Sequence, residues 1–216
     1  MLLNHPIYSL ISRIESDLAS YYGFDVTAKA SDCLLPLRET TSGNAHRGRM
    51  LVLTEGDEVM LGIEFSSSVA QAAEDWLNPT QVITGSMVSA LLVVIEEVSH
   101  FQLLTQRASL DLSVTQLELE WQAEVDKLVL LPDLVAEKGA RIAKLGLRRV
   151  LTSSFTLQED LSVEDSARYI EATRFLTRLL GSAHLLNADM KDPELRAWLR
   201  KLYRMSWNNK TTAIAA

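Results

Sequence analysis

Two carboxylates and an imidazole stand together at Glu96-Glu97-Val98-Ser99-His100. They directly follow the most apolar run of the chain, Met87 to Ile95, which is apolar except for Ser89. On a helix, Glu96 and His100 share a face at i, i+4, and Glu97 reaches His100 at i, i+3. Carboxylate and imidazole are ligands for divalent transition metals, and a Glu beside such an ion can serve as a general base. The same three groups can also make an internal ion-pair or hydrogen-bond network that needs no metal. Either arrangement would explain why a helix that ought to be buried carries three groups that are costly to bury.

The stretch resembles the His-Glu-x-x-His helix of zincin metallopeptidases, in which both His bind zinc and the Glu activates water. Here Glu96 occupies the first ligand position, Glu97 the base position and His100 the second ligand position. The following segment, Glu120-Trp121-Gln122-Ala123-Glu124-Val125-Asp126 and on to Pro132, is similar to the Glu-bearing helix of zincins of the ImmA type. The resemblance covers roughly residues 47–132. It implies a third ligand from this later helix, Glu120 or Glu124, and a hairpin before the motif helix. It also implies Glu97 as the catalytic base and a divalent ion, Zn, Mn or Fe, as cofactor. Glu in place of His makes the set richer in oxygen and more anionic, which lowers the Lewis acidity of a bound ion. The expectation is therefore a zincin-like domain with an altered motif that binds metal without robust peptidase activity.

Two other functions compete with it. Glu97-Val98-Ser99-His100 also fits one Glu-x-x-His element of a carboxylate-bridged di-metal helical bundle. A second such element is missing, because Leu180 precedes His184 by three positions and Leu2 precedes His5 by three. The other alternative is a non-catalytic interaction or scaffold protein with a basic C-terminal helical face. Residues 168–216 carry nine Lys/Arg against four Asp/Glu, whereas residues 1–167 carry 12 against 24. That face could meet a protein partner, or simply pack on and balance the acidic body.

The elements that must position these groups follow from periodicity. Pro6 to Tyr22 repeats apolar residues at helical spacing and stops at Gly23. Leu34-Leu35-Pro36-Leu37 reads as a short extended piece. Arg49–Thr54 and Val59–Phe65 flank a Gly/Asp turn and read as a β-hairpin. Val69 to Leu77 is a helix capped by Ser68, and the motif helix runs from about Thr80 to Gln106, with a strand over 87–95 as its rival. Ser113 and Gln116 form a capping box for a helix that Pro132 stops, with Glu120, Glu124 and Lys127 on one face. Leu134–Val150 is helical around Gly139 and Gly146, with a polar link over 152–160. Ser162 and Asp165 cap a helix over 163–186 whose stripe is Ala167, Ile170, Leu176, Leu179, Leu180 and Ala183. Pro193 starts a last helix. The fold class is α+β, mainly α: a hairpin or small sheet packed on a bundle of helices with a central buried helix. One globular domain spans 1–207, and 208–216 is a disordered tail.

The 216 residues hold one cysteine, Cys33, which precludes an intrachain disulfide and suits a reducing, cytoplasmic setting. The N-terminus lacks the pattern of a signal peptide, and the run 87–95 is too short to span a bilayer. The dispersed Trp76, Trp121, Trp198 and Trp207 read as core anchors, so no nucleic-acid partner is expected. His46 reads as a solvated loop residue and His184 as a helix-end histidine. Glycine-rich nucleotide-binding fingerprints and the Gly-x-Ser-x-Gly elbow are absent from the sequence.

Overall fold

In the computed structural model, which describes residues 5–39, 47–56, 58–78, 82–139, 163–182 and 190–215, the chain opens with α1 (Ile7–Tyr22). Pro6 precedes its first turn, and Gly23 ends it with φ 69°, a left-handed conformation that glycine adopts without strain. Ile7, Leu10, Ile11, Ile14 and Leu18 recur at helical spacing and are all buried. A short 3-10 turn (Ala30–Cys33) leads into extended chain. Leu35 N–H donates to Ile63 O and Arg38 N–H to Phe65 O. This piece lies against the hairpin of β1 (Gly48–Glu55) and β2 (Glu58–Phe65), which pair antiparallel from Gly48↔Phe65 to Glu55↔Glu58. One edge of β2 is thereby occupied.

The motif helix starts and ends later than its sequence signals predict, and its partner helix runs longer. Helix α2 (Ser67–Leu77) is capped by Ser66, whose hydroxyl accepts from Val69 N–H, in place of the expected Ser68. Helix α3 (Gly85–Ser109) begins after Thr84, whose hydroxyl caps Met87 N–H. The β-branched run Val93-Val94-Ile95 is helical, because α1, α2, α4 and β1 all pack against α3 and this burial outweighs propensity. Of the apolar stretch in α3, 67% lies inside the fold, as in a core helix. Helix α4 (Gln116–Glu137) is capped by Thr115 in place of Ser113, and it passes through Pro132 without stopping there. Proline removes one backbone donor, while the buried Leu131, Leu134 and Val135 hold the flanking turns against the core.

Helix α5 (Val163–Ser182) buries Ala172, Leu176, Leu179 and Leu180. Ala167 and Ile170, expected in its stripe, are exposed, which leaves the neighbouring Tyr169 to face the site. The expected helical stretch over 140–150, the link 152–160, Ser162, Ala183, His184 and His46 lie outside the described residues. Helix α6 (Pro193–Arg204) starts with Asp192 accepting from Glu194 and Leu195 N–H.

The sequence reading of a disordered tail is corrected: Trp207–Ala215 is a helix, α7. Lys210 is fully buried, with its Nζ 2.8 Å from Glu118 and near the ring faces of Trp121 and Tyr203. Ile214 joins the core. These long-range contacts order a stretch whose own composition predicts little structure. Cys33 is half-buried, and burial pushes its thiol pKa up. Trp76 and Trp121 are buried, and Trp198 and Trp207 pack on the same core.

Candidate metal centre

A cleft of about 420 Å³ opens where β1, α3, α4 and α5 meet. Glu96, Glu97 and His100 enter it from α3, Glu120 from α4, Tyr169 from α5, and Met50 and Val52 from β1. Gly48 lets β1 approach α3 this closely. A Cβ at that position would stand 2.6 Å from Val93 Cγ1 and 3.0 Å from Glu97 Cγ. Ser66 N–H donates to Arg47 O in register with the β1–β2 ladder. In an antiparallel pair this phase turns the N–H and C=O groups of Gly48, Met50 and Val52 outward, away from β2.

The structure brings Glu96, His100 and Glu120 together. One ligand atom from each lies within 4.8 Å of the other two, so the cluster could hold a metal ion. His100 Nε2 is 3.6 Å from Glu120 Oε2, and His100 Nδ1 is 3.7 Å from Glu97 Oε2. Both separations exceed hydrogen-bond length. His100 Nε2 and Glu97 Oε2 are buried with no hydrogen-bond partner, a costly condition for polar atoms. Donors sharing a tetrahedral ion at about 2.1 Å stand roughly 3.4 Å apart, so the His100–Glu120 pair is spaced much as two ligands of one ion are.

Glu124 is placed differently from the other expected ligands. Its Oε1 accepts from Lys127 Nζ at 2.6 Å, and the same ammonium donates to Glu96 Oε2 at 2.5 Å. Glu124 therefore stands beside the cluster, joined to it through Lys127. Glu96 is held from a second side by Tyr169, whose hydroxyl donates to Oε1 at 3.3 Å.

Electrostatics separates the two glutamates of the motif. Burial alone would raise both. The charges of Lys127 and His100 outweigh it at Glu96 and hold that carboxyl below the ordinary carboxylate range. At Glu97 burial prevails over His100, and the pKa rises. A raised value suits a general base, because the carboxylate then binds a proton more strongly. Burial opposes charge on His100, but the carboxylates of Glu120 and Glu97 prevail and hold the imidazole well above its usual pKa. Burial, with the charge of Glu96, keeps Tyr169 protonated and able to donate.

Beneath the cleft, Asp126 ties three helices together. It accepts from Ser99 Oγ at 2.6 Å, Tyr22 Oη at 2.5 Å and Gln122 Nε2 at 2.8 Å. Sequence reasoning grouped Lys127 with Glu120 and Glu124 but gave it no role, and it missed Tyr169 altogether. The i, i+3 spacing from Glu124 to Lys127 was a usable signal. Tyr169 lies 73 residues from Glu96 in sequence, and nothing local marks it.

Three arginines of the basic C-terminal region bond to another part of the fold. Arg196, Arg200 and Arg204 recur every four residues on α6 and donate to the backbone carbonyls of Ser20, Tyr21, Tyr22 and Gly23 at the end of α1. They act as a side-chain cap for that helix. Compared with known proteins, the chain matches no family model, no curated protein and no solved structure.

Proposed function

We propose that Glu96, His100 and Glu120 bind a divalent transition-metal ion, Zn, Mn or Fe, in a zincin-like domain with an altered motif and weak or no peptidase activity. One observation carries the reading. The buried, unpartnered His100 Nε2 stands at ligand spacing from Glu120, with Glu96 within reach, at the wall of an open cleft. A bound ion would supply Lewis acidity at the cleft wall. The chain's own groups supply the rest. Glu97 Oε2 accepts a proton, Tyr169 and Lys127 orient Glu96, and Glu120 and Glu97 flank the imidazole of His100. The outward backbone groups of Met50 and Val52 suit a ligand with an extended backbone, which can pair along β1.

Weak activity follows from charge. Glu96, Glu97 and Glu120 together offset the charge of a divalent ion more fully than a set with two neutral histidines, and they leave less to polarise a carbonyl. Neither alternative gains comparable support. Arg196, Arg200 and Arg204 are committed to α1, which weakens the case for a partner-binding basic face. The di-metal reading lacks a second Glu-x-x-His among the described residues. A reducing, cytoplasmic location remains the setting that suits the lone Cys33.

The test is metal content after purification without chelator, together with the melting temperature on adding Zn or Mn. Binding to the native state alone raises Tm by mass action. Bound metal, or a rise in Tm on adding Zn or Mn, that His100→Ala abolishes is the expected result. Less than about one tenth of an equivalent, with no shift in Tm, ends the reading and leaves an internal ion-pair network. Glu97→Gln is expected to keep the ion and remove any hydrolysis; hydrolysis that survives removes Glu97 as base.

A further inference from the structure

We propose that Lys127 is an internal counter-ion that competes with the divalent cation for Glu96 and keeps Glu124 out of its coordination. The inference rests on the metal reading above and concerns how that site is regulated. Lys127 is buried, and its ammonium bridges Glu96 Oε2 and Glu124 Oε1 at 2.5 and 2.6 Å. Glu96 is the carboxylate where the two roles collide, being both a member of the candidate ligand set and the partner of a fixed positive charge.

A lysine in this position does two things. It neutralises carboxylates that would otherwise be buried without a partner, so the protein folds without requiring an ion. It also places a like charge within about 5 Å of any cation held by Glu96, and repulsion at that distance in a partly buried site is worth well over a factor of ten in affinity. Ion binding must loosen the Lys127–Glu96 contact or share the carboxylate with it. Glu124 serves as the alternative anchor that keeps the ammonium in place. The geometry thus describes a centre biased toward weak, exchangeable binding, in which the first ligand is held on loan by an internal cation.

The double variant Lys127→Met/Glu124→Gln removes one positive and one negative group together and leaves Glu96 with its Tyr169 bond. It is the variant expected to fold with little strain. Lys127→Gln, which keeps a donor for Glu96, is the second variant. Zn²⁺ and Mn²⁺ alone are titrated by calorimetry with a competing chelator, and folding is followed by circular dichroism.

Both ions are expected to bind the double variant at least tenfold more tightly than wild type, and Lys127→Gln, which keeps the Glu124 anion, at least as tightly as the double variant. Glu124→Gln alone, which leaves Lys127 on Glu96, is expected to give no gain. Wild type that binds ion while the double variant binds no more tightly overturns the role of Lys127 and leaves the metal reading standing. An equal gain from Glu124→Gln alone likewise overturns it. If none of the proteins binds either ion, both readings fall.

Discussion

Replacing Lys210 by Met should stabilise the protein at neutral pH, although it removes an ion pair. Lys210 is fully buried, and the carboxylate it pairs with, Glu118 Oε1, is already bonded to Arg107 Nη2 at 2.7 Å. Two buried cations thus share one anion. Burial is the largest influence on Lys210, and its pKa falls from 10.5 to about 8 even with Glu118 beside it. That difference corresponds to about 3 kcal/mol of unfavourable interaction for the charged form. A lysine whose folded pKa is depressed weighs against folding most fully below pH 8, and the penalty is relieved as pH rises from 8 toward 10.5. The faces of Trp121 and Tyr203 return about 1–2 kcal/mol through cation–π attraction, which methionine loses. The net gain expected for Lys210→Met is about 1–2 kcal/mol at pH 7, narrowing at pH 10. Urea unfolding at both pH values measures it. A loss of more than about 1 kcal/mol at pH 7, or a gap that widens at pH 10, would refute the reasoning and make the ion pair the dominant force on α7.

Three further outcomes can be checked on the same protein. Asp126 has its pKa raised by burial from 3.8 to about 6 despite three hydrogen bonds, so wild type should lose about 3 kcal/mol relative to Asp126→Asn as pH rises from 4 to 7; denaturation at pH 4, 5, 6 and 7 reads the difference, and parallel curves would count against it. Glu118→Gln strips the shared anion from Arg107 and Lys210 and should cost about 3–5 kcal/mol by the same assay, so a change under 1 kcal/mol would contradict the pairing. Arg200→Ala removes donors to Tyr21 O at 2.6 Å and Ser20 O at 2.9 Å and should cost about 1–2 kcal/mol, visible as faster hydrogen exchange at the end of α1.

What the sequence made legible were features written locally. The stripe of α1 and the turn between β1 and β2 each state their own structure, and the spacing of Glu96 and His100 places them on one face of α3. Features that depend on distant chain were hidden. Pro132 reads as a stop because local sequence reports the missing N–H and not the burial that outweighs it. Residues 208–215 read as a tail because the partner of Lys210 is Glu118, far back in the chain. Asp192 and Thr84 show how a cap is identified by which side chain reaches which N–H, and the choice between Ser66 and Ser68, or Thr115 and Ser113, is settled by backbone angles that composition does not encode.

The charge arrangement along the α3–α4 contact bears on the ion proposed at His100. Six acidic groups meet there: Glu96, Glu97, Glu118, Glu120, Glu124 and Asp126. Glu118 is answered by Arg107 and Lys210, Glu124 and Glu96 by Lys127, and Asp126 by the hydrogens of Ser99, Tyr22 and Gln122. Glu97 and Glu120 flank His100, at distances too long for hydrogen bonds, in a cleft that Arg47, Arg49 and Arg168 also line. Buried anions that stand beside an imidazole at these distances favour an added positive charge more than anions already in close ion pairs. The same reasoning assigns Lys127 its place. It sits between the closely paired carboxylates and those that flank His100, on Glu96, which belongs to both.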